Sequence, residues 1–256
     1  MAALSELSFR LRRFTVVAVG VALTLLVFGL RWFVVEAFLM PSGSMFPTLE
    51  IQDHFFVSKA AYGVFTKSAP ARGDVVVFQY PEPNPAVERV DYVKRVLGLP
   101  NDTLEFESGA PIINGWHVPR CKLGAATITE LAGASIDYQV FVEFLEGNAY
   151  LVALDAAHDD AHQGPYRVAA GEFWVVGDNR NNSSDSRAWA GGKGAGVPFE
   201  NTKGRAWLLW FPSERFGITL DAPRLPRGLA QLQPALEGCL AKAPSRAQST
   251  PPSADR

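Results

Sequence analysis

Past residue 40 the chain never sustains an apolar run for long; short stretches rich in Val, Phe, Tyr and Trp alternate with turn signals. His54–Ser58, Val75–Tyr80, Tyr92–Val96, Leu104–Phe106 and Tyr138–Phe144 are such stretches. Tyr150–Ala153, Glu172–Val176, Ala206–Phe211 and Phe216–Leu220 continue the series. β-Branched and aromatic residues in runs of this length suit a pleated, half-buried surface. Asn114-Gly115, between Ile113 and Trp116, supplies the positive-φ pair of a two-residue hairpin turn, and Glu146-Gly147-Asn148 marks a second. No internal repeat shows, and helical periodicity is weak here. Residues 41–222 are therefore expected to form an all-β, mainly antiparallel body. From Pro223 the chain becomes a basic extension (223–256) with spaced leucines, Leu229, Leu232, Leu236 and Leu240. Its end, APSRAQSTPPSADR, has too little apolar content to fold and is expected to be partly disordered.

The one long apolar stretch precedes this body. Phe14–Leu30 carries no charge and as a helix would span about 25 Å. Trp32–Val35 extend it past Arg31, which can snorkel to an interface. A transmembrane helix over 14–36 is expected. Arg10, Arg12 and Arg13 against a single Glu6 place residues 1–13 in the cytoplasm and everything after the span on the far side. A cleaved secretory signal is the rival, but Val34, Val35, Glu36, Phe38 and Leu39 offer no small-x-small cleavage site. A formal net charge of −2 leaves no basic footprint for nucleic acid. The cysteines, Cys121 and Cys239, lack metal-site spacing, so no metal is expected, and two free thiols are favoured over a bridge.

Chemistry has to be sought among polar residues in unusual settings. The segment PSGSMFPTL (41–49) places two serines and a glycine between prolines just after the apolar stretch. A serine is a poor nucleophile unless a base takes its proton. No G-x-S-x-G, S-x-x-K or H-E-x-x-H occurs, which removes three familiar hydrolase arrangements. What remains is Lys94, inside an apolar strand with Tyr92 and Val96 on its own face. Loss of solvation there would lower its pKa and make it a base. On local sequence alone, a lysine pointing to solvent is the commoner reading. The third element is GDNRNNSSDSR (177–187), eleven residues with no apolar side chain. Alone it reads equally as a solvated loop.

Together PSGSMFPTL (41–49), RGDVVVF (72–78), YVKRVLGLPND (92–102) and GDNRNNSSDSR (177–187) resemble bacterial signal peptidase I. Members of that family are membrane-bound serine proteases that remove signal peptides from exported proteins. The resemblance implies Ser44 as nucleophile and Lys94 as general base. It implies that Ser42 lends its hydroxyl to the oxyanion hole, that Ser183 orients Lys94, and that Asp178, Asp185 and Arg187 support the site. Residues 37–222 would be the extracytoplasmic catalytic domain, with a β-rich insertion over 103–172. Exported preproteins and membrane lipid are the implied partners, the protein a monomer in the bacterial inner membrane, and no cofactor is required. Asn181 departs from the family, where many relatives carry aspartate. Phe38, Met40, Met45, Val77 and Val93 are candidates for the shallow pockets that accept small residues of an A-x-A-like site, though each also suits a core.

Other features have blander readings. His158 and His162, spaced i,i+4 among aspartates, lack an apolar face and read as a polar loop rather than a metal site. Trp189 and Trp210 are candidates to dip into a bilayer. Three rival functions remain: a self-cleaving Ser/Lys repressor, a tethered β-domain that only binds partners, and a Ser-His-Asp hydrolase using His54.

Overall fold

The structure, a computed structural model, describes residues 12–25, 29, 34–63, 68–80, 90–129, 135–157 and 162–254. After a helix over 12–25 (α1), the chain enters β1 (Val35–Leu39), β2 (His54–Ser58), β3 (Val75–Gln79) and β4 (Asp91–Gly98). Then follow β5 (Thr103–Glu107), β6 (Ala110–Ile113), β7 (Trp116–His117), β8 (Arg120–Thr129), β9 (Ser135–Leu145) and β10 (Asn148–Asp155). The last strands are β11 (Gln163–Arg167), β12 (Glu172–Val176), β13 (Val197–Pro198) and β14 (Thr202–Phe211), before a short helix α2 (Gln233–Ala241).

Among the described residues these strands make three sheets with antiparallel neighbours. A seven-stranded sheet runs β1-β2-β14-β3-β4-β12-β13, a three-stranded one β10-β9-β8, and a four-stranded one β11-β5-β6-β7. The two smaller sheets are built from residues 103–167, the stretch between β4 and β12. β4 lies inside the large sheet between β3 and β12, so residues 93–98 are all buried. That placement sets the environment of Lys94. Asn114 and Gly115 take φ of 52° and 75° between β6 and β7, as the Asn-Gly signal requires. Glu146 and Gly147 turn the same way between β9 and β10.

Several expectations are corrected. The expected membrane span over 14–36 is not found: no helix among the described residues is long and apolar enough to cross a membrane. Residues 26–28 and 30–33 of that stretch, and residues 1–11, lie outside the described ones. Val35 and Glu36, placed in the span, instead open β1, in register with Ser58 and Val57. Pairing there satisfies the outer backbone edge of β2, and Glu36 gains Lys59 at 3.3 Å. Phe216–Leu220 is not a strand; it lies against β14 through an isolated bridge, Leu208 to Thr219, and backbone hydrogen bonds that join Gly217, Ile218 and Leu220 to Leu209 and Trp207.

The extension beyond Pro223 is ordered by packing rather than by composition. Leu229, Leu232, Leu236 and Cys239 are buried in one cluster with Tyr138, Val140, Val142 and Phe144 of β9. Cys121 and Cys239 form a disulfide, overturning the free-thiol expectation; a sequence separation of 118 gave no hint of the proximity. Beyond α2, the backbone O of Ser249 accepts from Glu146 N–H, and that of Pro252 accepts from Asn114 Nδ2 at 2.8 Å. The polar tail is held by hydrogen bonds to two hairpin turns.

Candidate active site

Three segments meet at Ser44: the turn after β1, strand β4 and the loop 177–187. Pro41 and Ser42 leave β1 extended, with Ser42 at φ −138°, and Gly43–Met45 close a single 3-10 turn. Met45 and Met40 are fully enclosed with Leu49, Phe55 and Val57, which nails the turn to the large sheet. Ser44 is left 6% exposed. Asn179 grips the turn from the polar loop: its N–H donates to Ser44 O and its Nδ2 to Gly43 O, each at 3.1 Å. Sequence reasoning assigned Asn179 no role. Its place beside Asp178 in a glycine-led turn was the available signal.

Lys94 is 4% exposed on β4, and its Nζ donates to Ser44 Oγ at 2.8 Å and to Val93 O at 2.9 Å. Burial depresses its pKa from 10.5 to about 8, against the raising effects of Asp185 and Asp178. An amine that is substantially neutral near pH 8, hydrogen-bonded to a serine hydroxyl, can accept that hydroxyl's proton. Ser42 Oγ lies 3.3 Å from Ser44 Oγ on the exposed side. His54 is elsewhere, its ring packed edge-on against Trp210 and Phe211, so the triad reading finds no support in geometry.

Buried ion pairs frame the site. Arg95 grips Asp178 with Nε and Nη2 at 2.7 and 2.6 Å, and Asp178 also accepts from Thr48. Arg187 grips Asp185 at 2.9 and 2.8 Å, and Asp185 Oδ2 accepts from Gly177 N–H at 2.9 Å. Burial alone would raise the Asp185 carboxyl; Arg187 and Gly177 N–H hold it below its ordinary value. Arg180 makes a third pair with Glu143, also buried, and was not foreseen. Each charge is paired at both ends, which is what makes its burial tolerable. The loop 177–187 is thus a folded element.

Ser183 packs at Gly177, with no hydrogen bond from its Oγ to Lys94, and its hydroxyl is among the groups that hold the Asp185 carboxyl low. A Cβ on Gly177 would stand 2.3 Å from Ser183 Oγ and 2.5 Å from Ser44 O. Gly177→Ala must therefore displace the Ser44 backbone or Ser183. Turnover should fall by roughly 100-fold, the scale of a 1 Å misplacement. Kinetics beside a circular dichroism spectrum would check that the fold survives. The pocket candidates Met40, Met45, Val77 and Val93 lie in one core cluster with Phe38 packed on it, and Val77 opposes Val93. Asn181 accepts from Asp155 N–H at 2.9 Å. His162 pairs with Glu105, His158 lies outside the described residues, and no metal-type cluster exists among the described ones. Trp189 is corrected from a bilayer candidate to core, buried against Phe78 and Tyr80; Trp210 is half-buried against Phe56.

Comparison with known proteins bears on this arrangement. Residues 12–211 match the family model described as signal peptidase, peptidase S26. A signal peptidase I of Pseudomonas fluorescens is 38% identical over 203 residues, covering 72% of this chain and 68% of that one. A signal peptidase I of Pseudomonas aeruginosa is 36% identical over the same coverage. One of Leptolyngbya laminosa is 34% identical over 196 residues, covering 75% of this chain and 76% of that protein.

Proposed function

The chain belongs to the peptidase S26 family of signal peptidases, and on that premise we propose that it cleaves preproteins with Ser44 as nucleophile and Lys94 as general base. The observation that supports this most is the 2.8 Å contact between a serine hydroxyl and a buried amine whose pKa is near 8. Neutral Lys94 takes the Ser44 proton as Oγ attacks the carbonyl after the last signal residue. The Ser42 hydroxyl and the Ser44 N–H stabilise the oxyanion, each such donor contributing about 3 kcal/mol. As the tetrahedral species collapses, Lys94 returns the proton to the leaving amine of the mature chain. Water, deprotonated by Lys94, then releases the signal peptide from Ser44.

Asp178, Asp185 and Arg187 hold the loop that carries Asn179 and Ser183, and so hold Ser44. The substrate segment lies extended, and half-buried Phe38, at the edge of the cluster that encloses Met40, Met45, Val77 and Val93, shapes a shallow pocket for small residues of an A-x-A-like site. Tethering to the inner membrane by the charge-free run 14–30, with the site on the extracytoplasmic side, belongs to the same reading. It is supported by the apolar run and by an exposed rim: Leu39 and Phe211 flank His54 across three strands, next to Pro41. Such a rim suits a substrate whose cleavage site emerges from a bilayer.

Cleavage of a purified precursor with an A-x-A site, by wild type, Ser44→Ala and Lys94→Ala in detergent, tests the dyad. Wild type should cleave and both variants should lose activity by roughly 10⁴-fold or more. Full activity in either variant would eliminate the dyad.

A further inference from the structure

The three-stranded sheet is small, and one face of it is covered by the C-terminal extension. Leu229, Leu232 and Leu236 bury against Tyr138, Val140 and Val142, in one cluster with Phe46. Phe46 stands two residues after Ser44. Leu232 has a specific seat: Gly124 of β8 lacks a side chain, and a Cβ there would stand 2.9 Å from Leu232 Cδ2. A nine-residue helix such as α2 does not hold its shape in water unaided. Here the Cys121–Cys239 bond, in the same cluster, fixes the C-terminal end of the helix to β8.

From this cluster two contacts run to the catalytic turn. The Phe46 and Tyr138 rings lie 5.3 Å apart. Tyr138 OH accepts from Asn179 Nδ2 at 3.1 Å, and the same Nδ2 donates to Gly43 O at 3.1 Å. The extension therefore touches neither Ser44 nor Lys94, yet it backs both supports of the turn that presents Ser44.

We propose that Leu225–Cys239, locked by the Cys121–Cys239 disulfide, is a positioning element that acts through Phe46 and Tyr138 to hold Ser44 at Lys94, so that full turnover requires the oxidised chain. This rests on the dyad reading above. An oxidising extracytoplasmic compartment would keep the lock closed. A dithiol opens it by donating two electrons: the protein bond becomes two thiols as the reagent closes to its own disulfide.

The test uses the full-length protein, oxidised and after dithiothreitol, beside the Cys121→Ser/Cys239→Ser double variant and Leu232→Ala with its disulfide intact. Precursor cleavage is read as separate kcat and KM, and hydrogen exchange is followed at the Phe46, Leu49 and Asn179 amides, which bond Gly43, Met45 and Ser44 carbonyls. Reduction should lower kcat by roughly tenfold, within the ~100-fold range of small misplacements, while KM moves less than about twofold. The three amides should exchange faster, the double variant should match the reduced protein and ignore dithiothreitol, and Leu232→Ala should show part of the effect. Unchanged kcat and unchanged exchange on reduction would overturn the proposal. So would a Leu232→Ala protein indistinguishable from wild type, which decides the matter if the reduced chain unfolds. An oxidised wild type that cleaves nothing would refute the dyad instead, while the exchange data would still report whether the extension holds the turn.

Discussion

Replacing Lys94 by methionine should abolish precursor cleavage and make the chain more stable at neutral pH. The two effects share a cause. Lys94 is enclosed on β4, and burial holds its pKa at about 8 instead of 10.5. That gap corresponds to roughly 3 kcal/mol of penalty on the charged form, at 1.36 kcal/mol per pKa unit. Between pH 8 and 10.5 the unfolded chain binds the proton and the folded chain does not, so wild-type stability rises with pH through that window. Below about 8 both states are charged and the penalty is at its full, constant value. Methionine fills a similar volume without charge. It forgoes the hydrogen bonds to Ser44 Oγ and Val93 O, worth about 1–2 kcal/mol together. The variant should therefore gain about 1–2 kcal/mol at pH 7, and its advantage should vanish and then reverse as the pH climbs towards 10.5. Denaturant unfolding at pH 7 and pH 10 measures this. A variant less stable than wild type at pH 7, or a difference that ignores pH, would show that Lys94 is not held in a strained ionisation state.

The all-β body was legible because its strands are short and apolar. His54–Ser58 is bounded as read, and Asn114-Gly115 turns as the positive-φ rule demands. The environment of Lys94 was legible in outline, since Tyr92 and Val96 do join the buried cluster around Val76 and Phe78. What escaped is what depends on distant partners. β8, RCKLGAATIT, carries Gly124, Ala125 and Ala126 at its centre, residues depleted in strands, which hides its strand signal. It is a strand because β9 pairs with it and α2 packs on it. The Cys121–Cys239 bond and the order of the tail follow from the same long-range packing. Val35 and Glu36 read as the end of an apolar span because hydropathy cannot register the open edge of β2. The loop 177–187 looked solvated because its arginine and aspartate side chains are polar. Its burial becomes intelligible only when Arg95, Glu143 and Arg187 are seen to neutralise Asp178, Arg180 and Asp185 in turn.

Asp185→Asn should cost more stability than any other conservative change near the site, and should move the pH dependence of cleavage. The carboxylate is fully buried, gripped at both oxygens by Arg187, and bonded by Gly177 N–H. An amide of the same shape keeps an acceptor for Gly177 but leaves a 7%-exposed guanidinium without its counter-charge. Breaking one side of a buried pair typically costs about 3–5 kcal/mol. The electrostatic consequence reaches Lys94, because Asp185 is the largest influence raising its pKa and Arg187 lowers it. Removing the first and freeing the second both push Lys94 further below about 8. Since kcat/KM follows the free enzyme's base, its acidic limb, near pH 8 in wild type, should shift to lower pH in the variant. The plateau should fall as well, because Gly177 and the loop that carries Asn179 lose their anchor. Rate profiles from pH 5 to 10, with unfolding measured in parallel, separate the two effects. A limb that stays in place or moves upward would mean that the group titrating in catalysis is not Lys94.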